Sequence, residues 1–454
     1  MSDTKYTSPA ISQTSDLEID ETTYSDLSLF SNQEEYSVFH KLDFTRTRGG
    51  RDRLLDLFNK PFSDSARIIE TQQILRLIGN NLSAWPSSIS NGTIMVMERF
   101  YETAIDDIPH SHNLPGALMY KVFHSPDYSI VRYSVGHFAD FIRGMHGLIQ
   151  LLGGADTPKK LGNLLQRAER IMDHDILRSL AKTTPGAKLN PVQVIHFGHY
   201  LRYQFKTQAL DLIDIYTRLD AWYSMATAIG KYKLAYPSIV DQTDPYLEAE
   251  SLYHILLPVP VSYTVSLDKS SNFLFLTGAN MAGKSTFIRS VGVAVFLAHL
   301  GMGVPAASMR LSTFDGILSN INVMDNISKG ESYFFNEVQR IRDTLLKISG
   351  RKKWLVLIDE LFKGTNMQDA MKCSLTVIQG LVKIRSSLFI LSTHLYEIGE
   401  DLRQYSNITF KFFETSVKDD QLEFSYQLKD GISNDRLGYL ILRREKVVEL
   451  LEKL

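Results

Sequence analysis

The chain has 454 residues, of which 44% are apolar and 22% are charged, and its formal net charge at pH 7 is −2. This composition is typical of a soluble globular protein with room for about two or three domains and a sizeable core. The near-neutral charge excludes a protein that coats nucleic acid by bulk positive charge, so any contact with DNA must come from local basic patches. The single cysteine, Cys373, excludes a disulfide framework and is typical of a reducing cytoplasm.

The first residues contain no targeting signal. Residues 1–24 are polar and rich in Ser, Thr and Asp, which predicts a disordered tail and not a signal peptide. The most membrane-like run, Phe287–Ala307, carries Arg289 and His299 and follows a glycine-rich loop directly. We therefore expect a helix buried against a sheet, no membrane association and a cytoplasmic location.

Residues 25–235 are expected to form an all-helical domain. Gly49–Phe58 has apolar side chains at helical spacing, and Pro61 ends this helix. The helical period continues over Asn91–Tyr236, where strand-like alternation is nearly absent, and the turn Thr183–Pro191 separates the last two helices. The pattern predicts an elongated domain whose long antiparallel helices fold back at this turn.

Two groups of side chains in this region could contact nucleic acid or could serve the fold. Acidic neighbours at helical spacing favour a solvated helix surface for the arginines over a DNA contact. The helical spacing of the tyrosines favours packing over base stacking. The arginines are Arg46, Arg48, Arg51 and Arg53, and the tyrosines are Tyr200, Tyr203, Tyr216, Tyr223, Tyr232 and Tyr236.

A glycine-rich loop, Thr277–Thr286 (TGANMAGKST), follows the apolar run Asn272–Leu276 and matches the pattern G-x-x-x-x-G-K-[ST]. Glycine tolerates the sharp turn and lets a phosphate approach the backbone N–H groups and the N-terminus of the following helix. Lys284 would reach the β- and γ-phosphates of a nucleotide, and the Ser285 hydroxyl would bind Mg²⁺. The residues expected to bind the nucleotide are Gly278, Ala279, Asn280, Met281, Ala282, Gly283, Lys284, Ser285 and Thr286.

Two apolar strands with polar carboxyl ends support a nucleotide site. Trp354–Glu360 (WLVLIDE) ends in two carboxylates, of which Asp359 would hold the Mg²⁺ shell and Glu360 would act as general base. Leu388–His394 (LFILSTH) ends in a histidine that could sense the γ-phosphate. Taken singly, these could be solvated charges and a core histidine. Together with the loop upstream, they predict an NTPase site at the strand carboxyl ends.

The second domain is expected over residues 236–454. Several prolines interrupt its first residues, and Val259–Leu267 has the pattern of a strand. Ser332 lies where a helix begins after a polar loop, a position usually taken by a cap, although a helix facing a second subunit would let it touch another γ-phosphate. Near the end, Ile408–Glu414 and Leu422–Leu428 are expected to form a hairpin.

Four segments carry a family resemblance: TGANMAGKST, SKGESYFFNEV, LVLIDELFKGTN and LSTHLYEI. In order and spacing they are similar to the ATPase motifs of the MutS family of DNA mismatch repair proteins. The segment LDFTRTRGGRDRLLDLFNKPFSDSARIIETQQ resembles the start of that family's helical core domain, and DGISNDRLGY resembles the close of its ATPase domain.

The resemblance implies both a fold and a reaction. The fold is an all-helical core and lever domain followed by an ABC-type P-loop NTPase domain with a mostly parallel sheet, in a short member of the family. The reaction is ATP hydrolysis with Mg²⁺, in a homodimer whose active sites are each completed by the partner.

The resemblance also assigns roles residue by residue. Asp359 and Glu360 would be the Walker B pair, His394 the switch histidine, and Ser332 the signature serine that acts on the nucleotide of the partner subunit. The assigned residues are, for catalysis, Lys284, Glu360, His394 and Ser332; for phosphate, Asn280, Gly283, Lys284 and Ser285; for the metal, Ser285 and Asp359; and for a loop that communicates across the dimer, Gly364 and Thr365.

The DNA-reading parts of the family have weaker counterparts. The family's mismatch reader uses a Phe-x-Glu motif, and the matching letters here, Phe100–Glu102, fall inside a predicted helix. Only the turn Thr183–Pro191 stands where the family inserts its clamp. The aromatic side chain that packs on adenine in the family has no counterpart at Val259–Val261.

We therefore expect a MutS-like, DNA-binding ATPase of mismatch repair or recombination type, without its own mismatch-reading module. It would bind DNA of unspecified form and act with repair or recombination proteins. The alternative is a nucleotide-gated scaffold that binds a protein partner and no DNA. A transporter's ATPase subunit is disfavoured, because the helical region precedes the loop and has no apparent membrane span.

Overall fold

The computed structural model describes residues 16–31, 33–110, 113–184, 189–322, 333–418, 421–433 and 447–451. These residues form two compact units. The first unit draws on Met1–Val38, Lys60–Ile68 and Ala235–Leu454 and contains the described strands, whereas the second draws on Phe39–Asn59 and Ile69–Leu234. Among the described helices, none combines the length and the apolar character that a membrane span requires.

The strands and helices are numbered in chain order. The strands are β1 (Glu18–Ile19), β2 (Ser238–Ile239), β3 (Leu247–Leu252), β4 (Tyr263–Leu267), β5 (Phe273–Thr277), β6 (Ser308–Leu311), β7 (Gly316–Asn320), β8 (Trp354–Asp359), β9 (Leu388–Ser392), β10 (Ile408–Lys418) and β11 (Gln421–Asp430). The helices are α1 (Glu21–Asp26), α2 (Val38–Leu42), α3 (Arg48–Asn59), α4 (Ser65–Gly79), α5 (Asn91–Glu102), α6 (Leu114–Phe123), α7 (Ser125–Leu152), α8 (Lys159–Met172), α9 (Asp175–Ala181), α10 (Pro191–Tyr203), α11 (Lys206–Tyr232), α12 (Lys284–His299), α13 (Tyr333–Ile348), α14 (Met367–Leu381), α15 (Ile398–Leu402) and α16 (Val447–Leu451), with short 3₁₀ helices at Glu34–Tyr36 and Leu82–Ala84.

The larger sheet of the first unit positions the candidate site. Its strands follow the order β1-β7-β8-β9-β5-β10-β11, and every neighbouring pair is parallel except β10 and β11. Every residue of β5, β7, β8 and β9 is buried. Strands covered on both faces have no position for alternating polar side chains, which explains their uninterrupted apolar runs. The predicted mostly parallel sheet is confirmed.

The carboxyl ends of β5, β9 and β8 lie side by side. Ser392, at the end of β9, pairs with Leu276 of β5 on one side and with Asp359 of β8 on the other side. Because the three strands are parallel, the residues that follow them meet at one edge of the sheet, where open α/β sheets bind ligands.

A smaller sheet in the same unit has the order β2-β6-β3-β4. Strand β3 is antiparallel to both β4 and β6. The strand predicted from Val259 begins instead at Tyr263, and Val259 itself is 87% exposed. Residues 259–262 therefore precede β4 as irregular chain outside the smaller sheet.

Helices are the regular secondary structure of the described residues in the second unit. Its longest helices are α7, with 28 residues, and α11, with 27 residues, each about 40 Å long. The last two predicted helices, which lie on either side of the turn Thr183–Pro191, are each divided in two. One division falls at His174, whose Nδ1 accepts the Ile176 N–H and caps the start of α9, and the other falls at Gln204–Phe205, where Phe205 is buried.

Three of the four clustered arginines make side-chain contacts within the second unit. The Arg46 guanidinium donates to Tyr223 Oη and to the Pro86 carbonyl at 3.0 Å each. Arg51 pairs with Asp43 at 3.1 Å, and Arg53 pairs with Asp214. Phe100, the first residue of the Phe-x-Glu letters, is also committed to packing, because its ring is 1% exposed and lies edge-on to Phe138.

The described residues from 16 to 37 depart from the predicted tail and helical domain. Strand β1 extends the larger sheet next to β7, and helix α1 follows it directly. Asp26 is buried and accepts hydrogen bonds from Ser319 Oγ (2.6 Å) and from the backbone N–H groups of Ile321 (2.9 Å) and Asn322 (3.0 Å). The partners lie almost 300 residues away in the sequence, so local composition carries no sign of this docking.

Asp20 ties the same segment to α13. It caps α1 through the Thr23 N–H and accepts two hydrogen bonds from the Arg340 guanidinium, at 2.8 and 3.1 Å. Burial opposes the ionisation of Asp20, but the hydrogen bonds and charge of Arg340, together with the bonds from Thr23, outweigh burial and lower the pKa to about 2. The carboxylate is therefore charged over the whole neutral range.

We expect Asp20→Asn to lower the free energy of unfolding by about 2 kcal/mol at pH 7, because asparagine keeps the cap but loses the charge. The folded pKa of about 2 lies below the usual 3.8, so this stabilisation is complete above pH 4–5 and is lost as the pH falls through 2. The difference between wild type and variant should shrink to about half at pH 3, as measured by urea unfolding.

Glu18→Gln is the matched control for this prediction. Its carboxylate lies in the same segment and pairs with Lys352 at the surface, where it is 45% exposed. An exposed pair contributes less than about 1 kcal/mol, so this variant should unfold nearly as the wild type does. A pH-independent loss in Asp20→Asn would contradict the assigned ion pair.

Candidate active site

The loop between β5 and α12 has a backbone that requires glycine at two positions. Gly278 has φ +139° and Gly283 has φ +106°. A Cβ at Gly278 would lie 3.2–3.3 Å from atoms of Phe413, two of them backbone, so the space is closed as well. The loop leads into α12 at Lys284, and the N–H groups in the first turn of a helix are free to bind an anion.

Lys284 is the first residue of α12, and its side chain folds back into the loop with its ammonium group buried. The side chain is 6% exposed, and Nζ donates to the carbonyls of Gly278 (2.8 Å) and Ala279 (2.9 Å). Burial lowers the pKa of Lys284 to about 8, although the charges of Glu360 and Asp359 oppose the shift. The side chain therefore remains mostly protonated at neutral pH and presents a positive charge to the loop.

Asp359, at the end of β8, connects the loop to the neighbouring strand. One carboxylate oxygen accepts the Ser285 hydroxyl, and the other accepts the Ser392 hydroxyl. Hydroxyl and carboxylate oxygens are the ligands that Mg²⁺ prefers, and Ser285 and Asp359 present both kinds within hydrogen-bond contact. The donor set thus fits a magnesium ion.

Glu360 follows with a left-handed backbone, at φ +65°, and its N–H donates to the Ser392 carbonyl at 2.9 Å. Its Oε1 lies 2.7 Å from His394 Nε2, and its Oε2 lies 3.4 Å from Lys363 Nζ. Burial would raise the pKa of Glu360, but the hydrogen bond and charge of His394, with the charges of Lys363 and Lys284, lower it to about 2. Glu360 is therefore an ionised acceptor at neutral pH.

The structure brings most of the predicted site residues to one edge of the sheet. His394 Nε2 lies 3.4 Å from Lys284 Nζ, so the ends of β5, β8 and β9 form one connected group of charges. Gly364 lies against α13. Ser332 falls outside the described residues.

A cleft of about 450 Å³ opens beside these groups. One part of its lining is polar, from the loop and the end of β8, and the other is apolar or aromatic. The lining residues are Asn280, Gly283, Lys284, Ser285, Thr286 and Glu360 on the polar side, and Leu257, Val259, Val261, Tyr263, Met281 and Tyr426 on the other. A cleft with one charged and one apolar end fits a nucleotide, whose phosphates and base differ in the same way.

Tyr426 and Tyr263 are the site residues that the sequence motifs do not reveal. A Cβ on Gly283 would lie 3.4 Å from Tyr426 Cδ1 and 3.5 Å from the Tyr263 hydroxyl, so both rings border the loop. Tyr426 lies on β11, far along the chain, and no local pattern connects it to the loop. Its ring supplies an aromatic surface in the cleft, although the residues at 259–261 have none.

Comparison with known proteins agrees with this geometry. The family model for MutS domain V matches residues 274–449, which include the ends of β5, β8 and β9. The chain is similar to the DNA mismatch repair protein MutS of Pseudothermotoga lettingae, at 28% identity over 231 residues. The chain therefore contains a region that matches MutS domain V.

Two eukaryotic MutS-family relatives match over a similar length. They are the DNA mismatch repair protein msh3 of Aspergillus fumigatus, 28% identical over 243 residues, and the DNA mismatch repair protein spellchecker 1 of Drosophila melanogaster, 30% identical over 234 residues. The matches cover 50–51% of this chain but only 22%, 28% and 25% of the msh3, MutS and spellchecker 1 proteins, respectively. The likeness therefore concerns about a quarter of each relative's length.

We expect Tyr426→Ala to weaken ATP binding by about 10-fold, because stacking of a base on an aromatic ring contributes about 1–3 kcal/mol. Tyr426→Phe keeps the ring and should bind as the wild type does. Tyr246→Ala, which removes a ring outside the cleft lining, is the control. Titration calorimetry gives the dissociation constants, and equal loss in the Phe and Ala variants would contradict a role for the ring.

Proposed function

We propose that this chain is an ATPase that hydrolyses ATP to ADP and phosphate and couples the reaction to DNA. The observation that carries the proposal is the contact between groups from three parallel strand ends beside a cleft with one polar and one apolar end. Lys284, Glu360 and His394 form one network there. The match of residues 274–449 to MutS domain V supports the same reaction.

Each residue has a task that follows from its surroundings. The Lys284 ammonium and the first N–H groups of α12 would bind the β- and γ-phosphates. Ser285 and Asp359 would hold Mg²⁺, which when bound neutralises charge on the transferred phosphoryl group. Gly278–Thr286 would wrap the phosphates, and Tyr426 would pack against the base.

Glu360 would orient the attacking water as general base. An acceptor with a pKa of about 2 is charged and ready to accept a hydrogen bond, but it is a weak base. It would therefore contribute mainly by fixing the water in line for attack and less by removing its proton early. His394, 2.7 Å from the carboxylate, would hold Glu360 in place.

We further propose that the protein acts in the cytoplasm as an ABC-type homodimer. Ser332 would complete the partner's site, and Gly364 and Thr365 would lie in the loop that communicates between the two sites. The second, helical unit would serve as the lever that carries closure of the ATPase units to DNA, together with repair or recombination proteins. The relatives are named as DNA mismatch repair proteins, which supports the proposed role with DNA and repair proteins.

One observation favours a second candidate, a nucleotide-gated scaffold for a protein partner. The net charge is −2, and Arg46, Arg51 and Arg53 are engaged in contacts within the second unit. Arginines held by internal carboxylates and carbonyls contribute less to phosphate binding. In that case, ATP binding and hydrolysis would control the binding of a protein partner instead of the binding of DNA.

We expect Glu360→Gln to bind ATP normally but to lose at least about 100-fold in turnover, since the neutral amide holds the attacking water more weakly than a carboxylate and cannot accept its proton. Size-exclusion chromatography with ATP should show the variant held as a dimer, because the closed state no longer decays by hydrolysis. Glu400→Gln, which removes a surface carboxylate paired with Arg403, is the control and should keep wild-type turnover. Unchanged phosphate release in Glu360→Gln would remove Glu360 from its role.

If the protein binds DNA through phosphate contacts, its affinity for DNA should fall as the salt concentration rises. Duplex, four-way junction and single-stranded DNA should be titrated from about 50 to 200 mM salt, because each neutralised phosphate adds to the slope of log affinity against log salt. We expect a steep slope and stimulated ATP turnover for at least one of these forms. Indifference of both binding and turnover to every form would favour the scaffold.

A further inference from the structure

The loop behind Glu360, which comprises residues 360–366 between β8 and α14, has a strained backbone. Glu360 has φ +65° and Phe362 has φ +59°, so two residues with large side chains adopt the left-handed conformation within three positions. Each such residue costs about 1–2 kcal/mol, and the conformation persists only where neighbouring structure holds it. The contacts that hold this loop therefore also set the position of Glu360.

Glu337, on α13, makes the polar contacts to this loop. Its side chain is 4% exposed, Oε1 accepts the Lys363 N–H at 3.0 Å, and Oε2 accepts the Gly364 N–H at 3.2 Å. Burial raises the pKa of Glu337, whereas the loop N–H groups and the Lys363 charge oppose the shift. A buried carboxyl group that binds two consecutive N–H groups restrains both of their peptide planes.

Apolar packing from the first turn of α13 completes the restraint. The Phe334 ring lies 5.7 Å from the Phe362 ring, and Phe362 is 4% exposed. A Cβ on Gly364 would lie 2.8 Å from the Phe334 backbone nitrogen, so the loop and the helix backbone are in close contact. The loop therefore cannot shift without displacing α13.

Lys363 links the two carboxyl groups. Its backbone N–H is bound by Glu337, and its Nζ lies 3.4 Å from Glu360 Oε2. The charge on Lys363 also helps to lower the pKa of Glu360. A change at Glu337 would thus move both the backbone that follows Glu360 and the Lys363 ammonium group that contacts the Glu360 carboxylate.

We propose that Glu337 is a positioning residue for ATP hydrolysis, which holds Glu360 in line through the backbone of Lys363 and Gly364. The proposal rests on the proposed function, because it assumes that Glu360 acts on water. It assigns to α13 a part in the chemistry of its own subunit's site.

The test compares Glu337→Ala and Glu337→Gln with the wild-type protein. We expect Glu337→Ala to lower kcat by about 10- to 100-fold while KM and the ATP dissociation constant stay within about two-fold, because misplacement of a catalytic group costs turnover and leaves the phosphate loop intact. Glu337→Gln should be intermediate, since its amide retains one acceptor oxygen for the loop. If the alanine variant does not fold, the glutamine variant and its kcat carry the test.

Ile348→Ala is the matched control for lost stability. Ile348 is fully buried on the same helix, three turns beyond Glu337, and lies at the end of α13 away from the loop. The substitution should destabilise the protein by about 2–5 kcal/mol yet leave kcat at the wild-type value under folding conditions. A kcat loss as large in this variant as in Glu337→Ala would overturn the positioning role.

The double variant with Glu360→Gln gives the sharpest comparison. If Glu337 acts through Glu360, then Glu337→Ala should cause less than a two-fold further loss once Glu360→Gln is present. Independent, multiplicative losses would overturn the proposal, and so would a wild-type kcat in Glu337→Ala. An active Glu360→Gln variant would instead overturn the proposed function, so the two failures are distinguishable.

Discussion

The parallel alignment of β5, β8 and β9 is the constraint on which the site depends. Each strand ends within two residues of a group that the site uses, and the register places Asp359 and Leu276 on either side of Ser392. Side chains alternate between the faces of a strand, so a shift of one residue in any of the three would turn its terminal group away. The buried, branched and aromatic side chains of these strands exclude such a shift, because it would leave the packed faces mismatched.

The groups at these strand ends are coupled by charge. Lys284 and Asp359 are nearly buried, and burial of a charged group is costly unless opposite charges and hydrogen bonds lie nearby. Loop carbonyls and carboxylates surround the ammonium group, while hydroxyl groups, His394 and Lys363 surround the carboxylates. The network holds its members in place without a ligand, and a phosphate with its metal would exchange these contacts for stronger ones.

Elements other than these strand ends hold the arrangement in place. The segment of β1 and α1 attaches to the end of β7 through Asp26 and to α13 through Asp20. Helix α13 in turn holds the loop behind Glu360 through Glu337. The hairpin of β10 and β11 brings Tyr426 to the open side of the cleft. Because of these contacts, the geometry of the candidate active site depends on the whole unit.

The sequence by itself determined the glycine loop, the buried strands and the polar residues at their ends. These features are local: glycine spacing defines the loop, and an apolar run without alternation defines a strand covered on both faces. Only the tertiary structure decided the docking of residues 16–31, the divisions of the long predicted helices, the place of Tyr426 in the cleft and the contact of Glu337 with the loop. The docking, the place of Tyr426 and the contact of Glu337 depend on partners between about 25 and 300 residues apart. The energy of such a contact comes from burial and hydrogen bonds that no short window of sequence contains.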